Sequence, residues 1–311
     1  MNALVTGGLG FIGSHLVERL RKDGHKVMVL DCGLLNSEMD GDVLTTYEVR
    51  DRAVDWLFHL AARADIVPSI QHPSCYHETN VTGTVRMLEQ AQESGVKRFI
   101  YAASSSCYGL ATELPTPETA PLSPQYPYAL TKMIGEQYAL HWMQVYGLPV
   151  VSLRLFNVYG PRQRTNGAYG AVLGVFLAQK ANQRPLTIVG DGTQTRDFTH
   201  VSDVVDAMVK AAESDVTGVF NVGSGHPHSV NELAWIIGGE RVYVPKRPGE
   251  PDCTWADATK IREALGWKPQ VPFWYGVQSM LEDVERWKDA PIWTPETIAQ
   301  ETATWHQYLG R

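Results

Sequence analysis

Cysteine is scarce in this chain of 311 residues. The four, Cys32, Cys75, Cys107 and Cys253, stand far apart with no Cys-x-x-Cys pair, so neither a zinc site nor a disulfide framework is expected. Long apolar runs are missing too, which excludes a bilayer-spanning helix as an expectation. Cations are outnumbered, 27 Lys and Arg against 34 Asp and Glu. That balance argues against nonspecific nucleic-acid binding, which needs clustered cations to displace phosphate counterions; a local basic pocket stays open. Repeats, low-complexity tracts and linker-like stretches are also lacking, so the chain reads as continuously folded. The opening residues Met1 to Val5 are too few and too uncharged for a secretory leader, and with reduced thiols they point to the cytoplasm. His226 and His228 flank Pro227 in a turn without metal-ligand spacing; they read as solvated loop residues, and no metal is expected.

What is present begins at once. Residues 2 to 5 form an apolar run, Thr6-Gly7-Gly8-Leu9-Gly10-Phe11-Ile12-Gly13 follows, and Ile12, Leu16, Val17 and Leu20 then recur at helical spacing. Strand, glycine turn and helix in that order build a site where backbone N–H groups and a positive helix end meet a pyrophosphate without Cβ obstruction. A second run, Lys26 to Leu30, ends in Asp31, whose carboxylate suits adenosine ribose hydroxyls and repels a 2′-phosphate; NAD is expected over NADP. A third strand is expected around Thr46 to Val49. Only a few residues then precede Trp56-Leu57-Phe58-His59, too few for a crossover helix. Alternation continues with a helix from about Cys75 to Ser94, a strand at Arg98 to Ala103, a helix from Tyr126 to Tyr146 and a strand at Val150 to Leu155. Strands alternating with helices imply an α/β doubly wound parallel sheet.

Hydroxyls cluster where such sheets build their ligand crevices. Ser104-Ser105-Ser106-Cys107-Tyr108-Gly109 follows the strand ending at Ala103, at its carboxyl end. Farther on, Tyr128 and Lys132 stand four residues apart on one helix face, so that the cation can lower the phenol pKa and make Tyr128 a usable base. Cys107 reads as core packing rather than as a nucleophile.

With these motifs assembled, the chain resembles the extended short-chain dehydrogenase/reductase family, in particular its nucleotide-sugar epimerases and dehydratases. The resemblance runs over nearly the whole chain and also rests on His59-Leu60-Ala61-Ala62, Asn80-Val81-Thr82-Gly83-Thr84, Phe156-Asn157-Val158-Tyr159-Gly160 and Arg196-Asp197-Phe198. It implies a Rossmann-type NAD-binding domain over 1–157, with 197–222 returning to it, and a smaller α/β substrate lobe over 158–196 and 223–311. It implies a catalytic triad of Ser104, Tyr128 and Lys132. It also implies an NAD site lined by Gly7, Gly10, Phe11, Ile12, Gly13, Asp31, Glu48, Val49, Leu60, Ala61, Ala62 and Asn80 together with Tyr128 and Lys132. Asn157, Arg196, Arg247 and Glu250 are placed by the same resemblance around a nucleoside diphosphate, for which arginines supply bidentate hydrogen bonds. Ser105, Ser106, Arg164, Tyr169, Val172 and Thr254 complete the substrate set.

The reaction expected is hydride removal from C4 of the sugar, giving a 4-keto sugar. In the family's 4,6-dehydratases an Asp-Glu pair follows the catalytic hydroxyl residue, in the uronate decarboxylases a Glu stands two residues after it, and in the 5,6-dehydratases Cys and Glu occupy those places. Here they are Ser105 and Ser106, which leaves hydride return to the opposite sugar face, an epimerisation, as the expectation. Thr254 resembles the small form of a size gate that admits a 2-acetamido group, and Asn166-Gly167-Ala168-Tyr169 resembles N-acetylglucosamine epimerases. Arg164 instead matches a uronate-facing arginine, while Asn157 stands where uronate epimerases tend to have Thr. A neutral or N-acetylated UDP-hexose ranks first and a uronate second. Family members commonly dimerise through helices corresponding to Cys75–Ser94 and Tyr126–Tyr146, so a homodimer is expected. At the carboxyl end, where the chain departs from the short forms of the family, Thr294-Pro295 reads as a helix start. Ile298, Thr302, Trp305 and Leu309 share a face of a packing helix, and Trp287, Trp293 and Trp305 are costly to leave exposed.

Overall fold

The computed structural model describes residues 1–32, 53–163 and 171–310. The expected strand at Thr46 to Val49 lies outside them, as do the candidate site residues Glu48, Val49, Arg164 and Tyr169. Among the described residues, six strands form one parallel sheet: β1 (Asn2–Thr6), β2 (Lys26–Leu30), β3 (Trp56–His59), β4 (Arg98–Ser104), β5 (Val150–Leu155) and β6 (Gly218–Val222), in the order β6-β5-β4-β3-β1-β2. The strands are near-continuous apolar runs because helices cover both faces. On one face Leu16, Val17 and Leu20 of the Phe11–Lys22 helix and Val204 to Ala212 of the Val201–Glu213 helix pack on β1, β3 and β5. On the other, Met87, Leu88 and Ala91 of the Gly83–Glu93 helix and Ala139 and Trp142 of the Pro127–Tyr146 helix pack on the alternate residues of the same strands. The result is an α/β Rossmann-like fold.

After β5 the chain leaves this sheet. The Val172–Ala181, Val230–Ile237 and Phe273–Leu281 helices, with strands Leu186–Val189 and Arg241–Val244 paired in parallel, enclose a second core. Segment 258–267, expected in the second lobe, instead sends Ala258, Ile261 and Trp267 into the core of the large sheet. Trp267 is 1% exposed and its indole N–H donates to the Asp203 carbonyl at 2.9 Å, so a buried aromatic with one satisfied donor fixes that return.

Two local features shape the cleft between the cores. The expected Cys75–Ser94 helix runs from Pro73 to Glu93, its α-helical parts Pro73–His77 and Gly83–Glu93 joined by a π-helical turn at Glu78–Thr82 that carries Asn80. At the carboxyl end the expected single helix is two, Pro295–Glu301 and Ala303–Leu309. Thr294 caps the first through a reciprocal capping box with Thr297, and Ile298, Thr302 and Trp305 are buried.

Candidate active site

A cleft of about 1050 Å³ opens at the carboxyl ends of the strands and runs between the two cores, the place where a doubly wound sheet takes its ligands. At one end lie Gly7, Gly10, Phe11, Ile12, Gly13 and Asp31, with Leu60, Ala61 and Ala62 opposite. The glycine turn is built for close approach. A Cβ on Gly13 would stand 2.1 Å from the Gly7 carbonyl oxygen, and Gly7 has φ of +68°. Gly10 caps the Phe11–Lys22 helix without a side-chain hydrogen bond, and no acidic residue occupies the first turn. Backbone donors and the positive helix end are therefore presented to the cleft, as a pyrophosphate requires. Asp31 closes this end, one oxygen accepting from the Leu9 N–H at 2.9 Å. These residues fit a dinucleotide carrying unphosphorylated ribose hydroxyls.

Asn80 lies just behind the cleft wall, next to Thr79, which lines it. It is 1% exposed and does not line the cleft; its amide instead accepts from the Arg63 N–H at 2.8 Å and donates to the Arg63 carbonyl and to the Thr131 hydroxyl, both at 3.0 Å. It thereby ties the loop after β3 to the helix that carries Tyr128 and Lys132. A buried polar chain continues beneath that loop. Thr6 meets His59 at 2.8 Å, His59 meets Thr84 at 3.0 Å, and Thr84 donates to the Asn80 carbonyl at 2.7 Å. Burial holds His59 neutral, its pKa pushed down to about 3.

Ser104, Tyr128 and Lys132 all face the middle of the cleft. Ser104 ends β4 and caps a 3-10 turn, its hydroxyl accepting from the Ser106 N–H at 3.2 Å and pairing with the Ser106 hydroxyl at 2.8 Å. Burial raises the Tyr128 phenol above its ordinary value, outweighing the opposite pull of the Ser104 hydroxyl toward the phenolate. The lowering expected from Lys132 is thus not what this geometry gives. The ammonium lies 4.5 Å from the centre of the Tyr101 ring, and burial pushes Lys132 itself down to about 7. Gly135 permits this placement, since a Cβ there would stand 2.3 Å from the Tyr101 hydroxyl.

One turn beyond Lys132, Glu136 anchors the helix to β5. Its carboxylate accepts from Arg154 at 2.6 Å and from Ser152 at 2.8 Å, and Arg154 also donates to Tyr108 at 2.8 Å. The pair was not singled out from sequence. Its signal was there: Ser152 and Arg154 are polar at alternate positions of an otherwise apolar strand, hence on one face. Cys107 is buried in a small core with Tyr108 and Phe156, its thiol pushed up to about 12 by burial, so it is held as an inert thiol.

Toward the second core the cleft is lined by Ser105, Ser106, Asn157, Val172, Arg196, Arg247, Glu250 and Thr254. Glu250 holds both arginines, Arg196 at 2.9 Å and Arg247 at 3.1 Å, so two cations share one carboxylate. Thr254 donates to the Asn157 side-chain oxygen at 2.8 Å. Tyr126 and Trp305 are among the lining residues not expected from sequence in this role. His226 is exposed as expected, but His228 stacks on Phe273 with ring centres 4.3 Å apart and pairs with Glu232 at 2.8 Å. Among the described residues no group of three His, Cys, Asp or Glu side chains could hold a metal ion, and no helix is long and apolar enough to cross a membrane.

Fold and cleft together define a dinucleotide-binding enzyme whose cleft is lined at its middle by serine, tyrosine and lysine. The chain belongs to the NAD dependent epimerase/dehydratase family, which it matches over residues 3–223, and is an NAD-dependent enzyme of that family. It is 37% identical to the UDP-glucose 4-epimerase of Mycolicibacterium smegmatis over 307 residues, covering 91% of this chain and 98% of that one. Its fold is similar to the crystal structure of the Thermotoga maritima UDP-glucose 4-epimerase with UDP-glucose, with a TM-score of 0.84 and 34% identity over 92% of this chain and 99% of the other. It is equally similar, at a TM-score of 0.84 with 30% identity over the same shares, to the Bacillus cereus UDP-glucuronic acid 4-epimerase in complex with UDP-glucuronic acid and NAD.

Proposed function

We propose that this enzyme interconverts the C4 epimers of a UDP-hexose, of the UDP-glucose or UDP-N-acetylglucosamine type, through a transient 4-keto sugar. The observation that carries the reading is the pairing of Ser104 and Tyr128 with hydroxyls, not acids, at Ser105 and Ser106. Eliminating water from the sugar needs an added acid and base at the reacting centre. The positions that bear them in the family's dehydratases are serines here.

In this reading NAD, held by the glycine turn, Asp31 and Leu60 to Ala62, supplies the acceptor and the return donor for the C4 hydrogen. Tyr128 takes the 4-hydroxyl proton and Ser104 holds the sugar oxygen by a hydrogen bond, with Lys132 one helical turn beyond Tyr128 in the same cleft. Arg196 and Arg247 bind the diphosphate, with Glu250 setting their orientation. Thr254 leaves room for a 2-acetamido group. The dimer is formed through the helix pair spanning 73–93 and 127–146, where Leu130, Tyr138, Val145 and Tyr146 are exposed, and the setting is cytoplasmic.

A second reading, release of a keto or unsaturated sugar, draws on Asp65. It lines the same cleft as Tyr128. A uronate epimerase is the third, supported by Arg164 and by the likeness to the Bacillus cereus enzyme. Incubation with UDP-glucose, UDP-N-acetylglucosamine and UDP-glucuronate, without added NAD, separates them. The 4-epimer of a neutral sugar is expected; no epimer from any of the three overturns the reading. Tyr128→Phe is expected to abolish turnover while NAD stays bound.

A further inference from the structure

We infer that Trp305, brought in by the Ala303–Leu309 helix, is a specificity-determining residue that sets how large a sugar the cleft accepts; this rests on the nucleotide-sugar reading above. Trp305 is 3% exposed, yet it lines the cleft. Its ring centre is 5.9 Å from that of Tyr126, and the Arg247 guanidinium lies 5.4 Å from the ring. Its indole N–H donates to the Pro248 carbonyl at 2.6 Å, which fixes the ring rather than leaving it to swing. Tyr126 in turn stacks parallel to Tyr128, with centres 6.4 Å apart and planes 8° apart, and lines the cleft with Ser106.

Those contacts locate the ring in the cleft. Tyr128 and Ser104 define where the sugar C4 must react, and Ser106 is bonded to Ser104. The sugar therefore lies against Tyr126, and Trp305 is the wall behind Tyr126. On its other side Trp305 supports Arg247, the diphosphate end. One side chain thus spans the interval from sugar to diphosphate. The helix that bears it also leans on the first lobe: Thr304 accepts from Gln71 at 3.5 Å, and Gln71 ends the Ile66–Gln71 helix beside the cleft. Pro291 and Trp293, on the approach to this segment, line the same cleft. The wall is rigid, aromatic and continuous with the catalytic helix, the construction by which a pocket discriminates on size.

The test compares UDP-glucose with UDP-N-acetylglucosamine in wild type, Trp305→Ala and Trp305→Phe, each shown folded by circular dichroism and by retained NAD. Affinities are read by calorimetry and kcat/KM by epimer formation. Space opened beside Tyr126 is expected to shift both ratios toward the bulkier sugar, by about tenfold in Trp305→Ala and by less in Trp305→Phe. If Trp305→Ala does not fold, Trp305→Phe carries the test. Equal losses for both sugars, or no change, overturn the inference and leave the functional reading intact. Wild type that binds both sugars and epimerises neither sinks the functional reading, while the affinity ratios still judge Trp305. Wild type that binds neither sugar sinks both.

Discussion

At the scale of single residues, burial rather than charge pairing sets the protonation states around the cleft. His59 is enclosed between Thr6 and Thr84 and keeps its ring neutral down to about pH 3. An unfolded chain takes up a proton there near pH 6.5 that the folded chain refuses. The contribution of His59 is therefore complete above about pH 6.5 and is lost as pH falls from there toward 3, at a slope of about 1.4 kcal/mol per pH unit for one proton. Urea unfolding at pH 7 and pH 5.5 checks this. His59→Asn is expected to be less stable at pH 7 but to lose less on acidification; parallel slopes for the two proteins contradict it. The same preference for burial explains what was illegible at Tyr128. Spacing in the sequence brings Lys132 to the right helix face, but it says nothing of how deeply both groups are enclosed, and enclosure decides the direction of the shift.

At the scale of elements, the Pro127–Tyr146 helix that carries Tyr128 and Lys132 is held in place by polar contacts on both flanks, Asn80 through Thr131 and Glu136 through Arg154. The Glu136–Arg154 pair is buried, with side chains 2% and 6% exposed, so removing one partner strands a charge at a cost of about 3–5 kcal/mol. Arg154→Met is expected to lower the thermal midpoint substantially, and Glu136→Leu combined with Arg154→Met to recover much of the loss, because neither charge is then left alone. A double variant no more stable than the single one contradicts this. Strands β1, β2, β4 and β5 were legible in the sequence, since a doubly covered parallel strand is an apolar run, and Gly7 and Asp31 mark the ends of the first two. The π-helical turn at Glu78–Thr82 was not, because one extra residue in a helical turn leaves the apolar spacing almost unchanged. The break at Thr302 escaped for a similar reason: Ile298, Thr302 and Trp305 stay on one buried face across it.

At the scale of the whole molecule, the cleft is assembled from segments far apart in sequence: Ser104 from a strand end, Tyr128 and Lys132 from a helix, Arg196, Arg247 and Glu250 from beyond β5, and Trp305 from the carboxyl-terminal helix. The ordered motifs made the first of these legible, because each sits at a fixed place in a strand-turn-helix unit. Trp305 was not, since nothing local in a short amphipathic helix records which distant cleft its buried face completes. The central claim, that the C4 hydrogen leaves the sugar and returns to its opposite face, is tested most directly with UDP-glucose or UDP-N-acetylglucosamine deuterated at C4. The account predicts the 4-epimer with deuterium retained at C4, read by NMR and mass spectrometry. A keto or unsaturated product, or an epimer whose C4 carries solvent hydrogen, contradicts it.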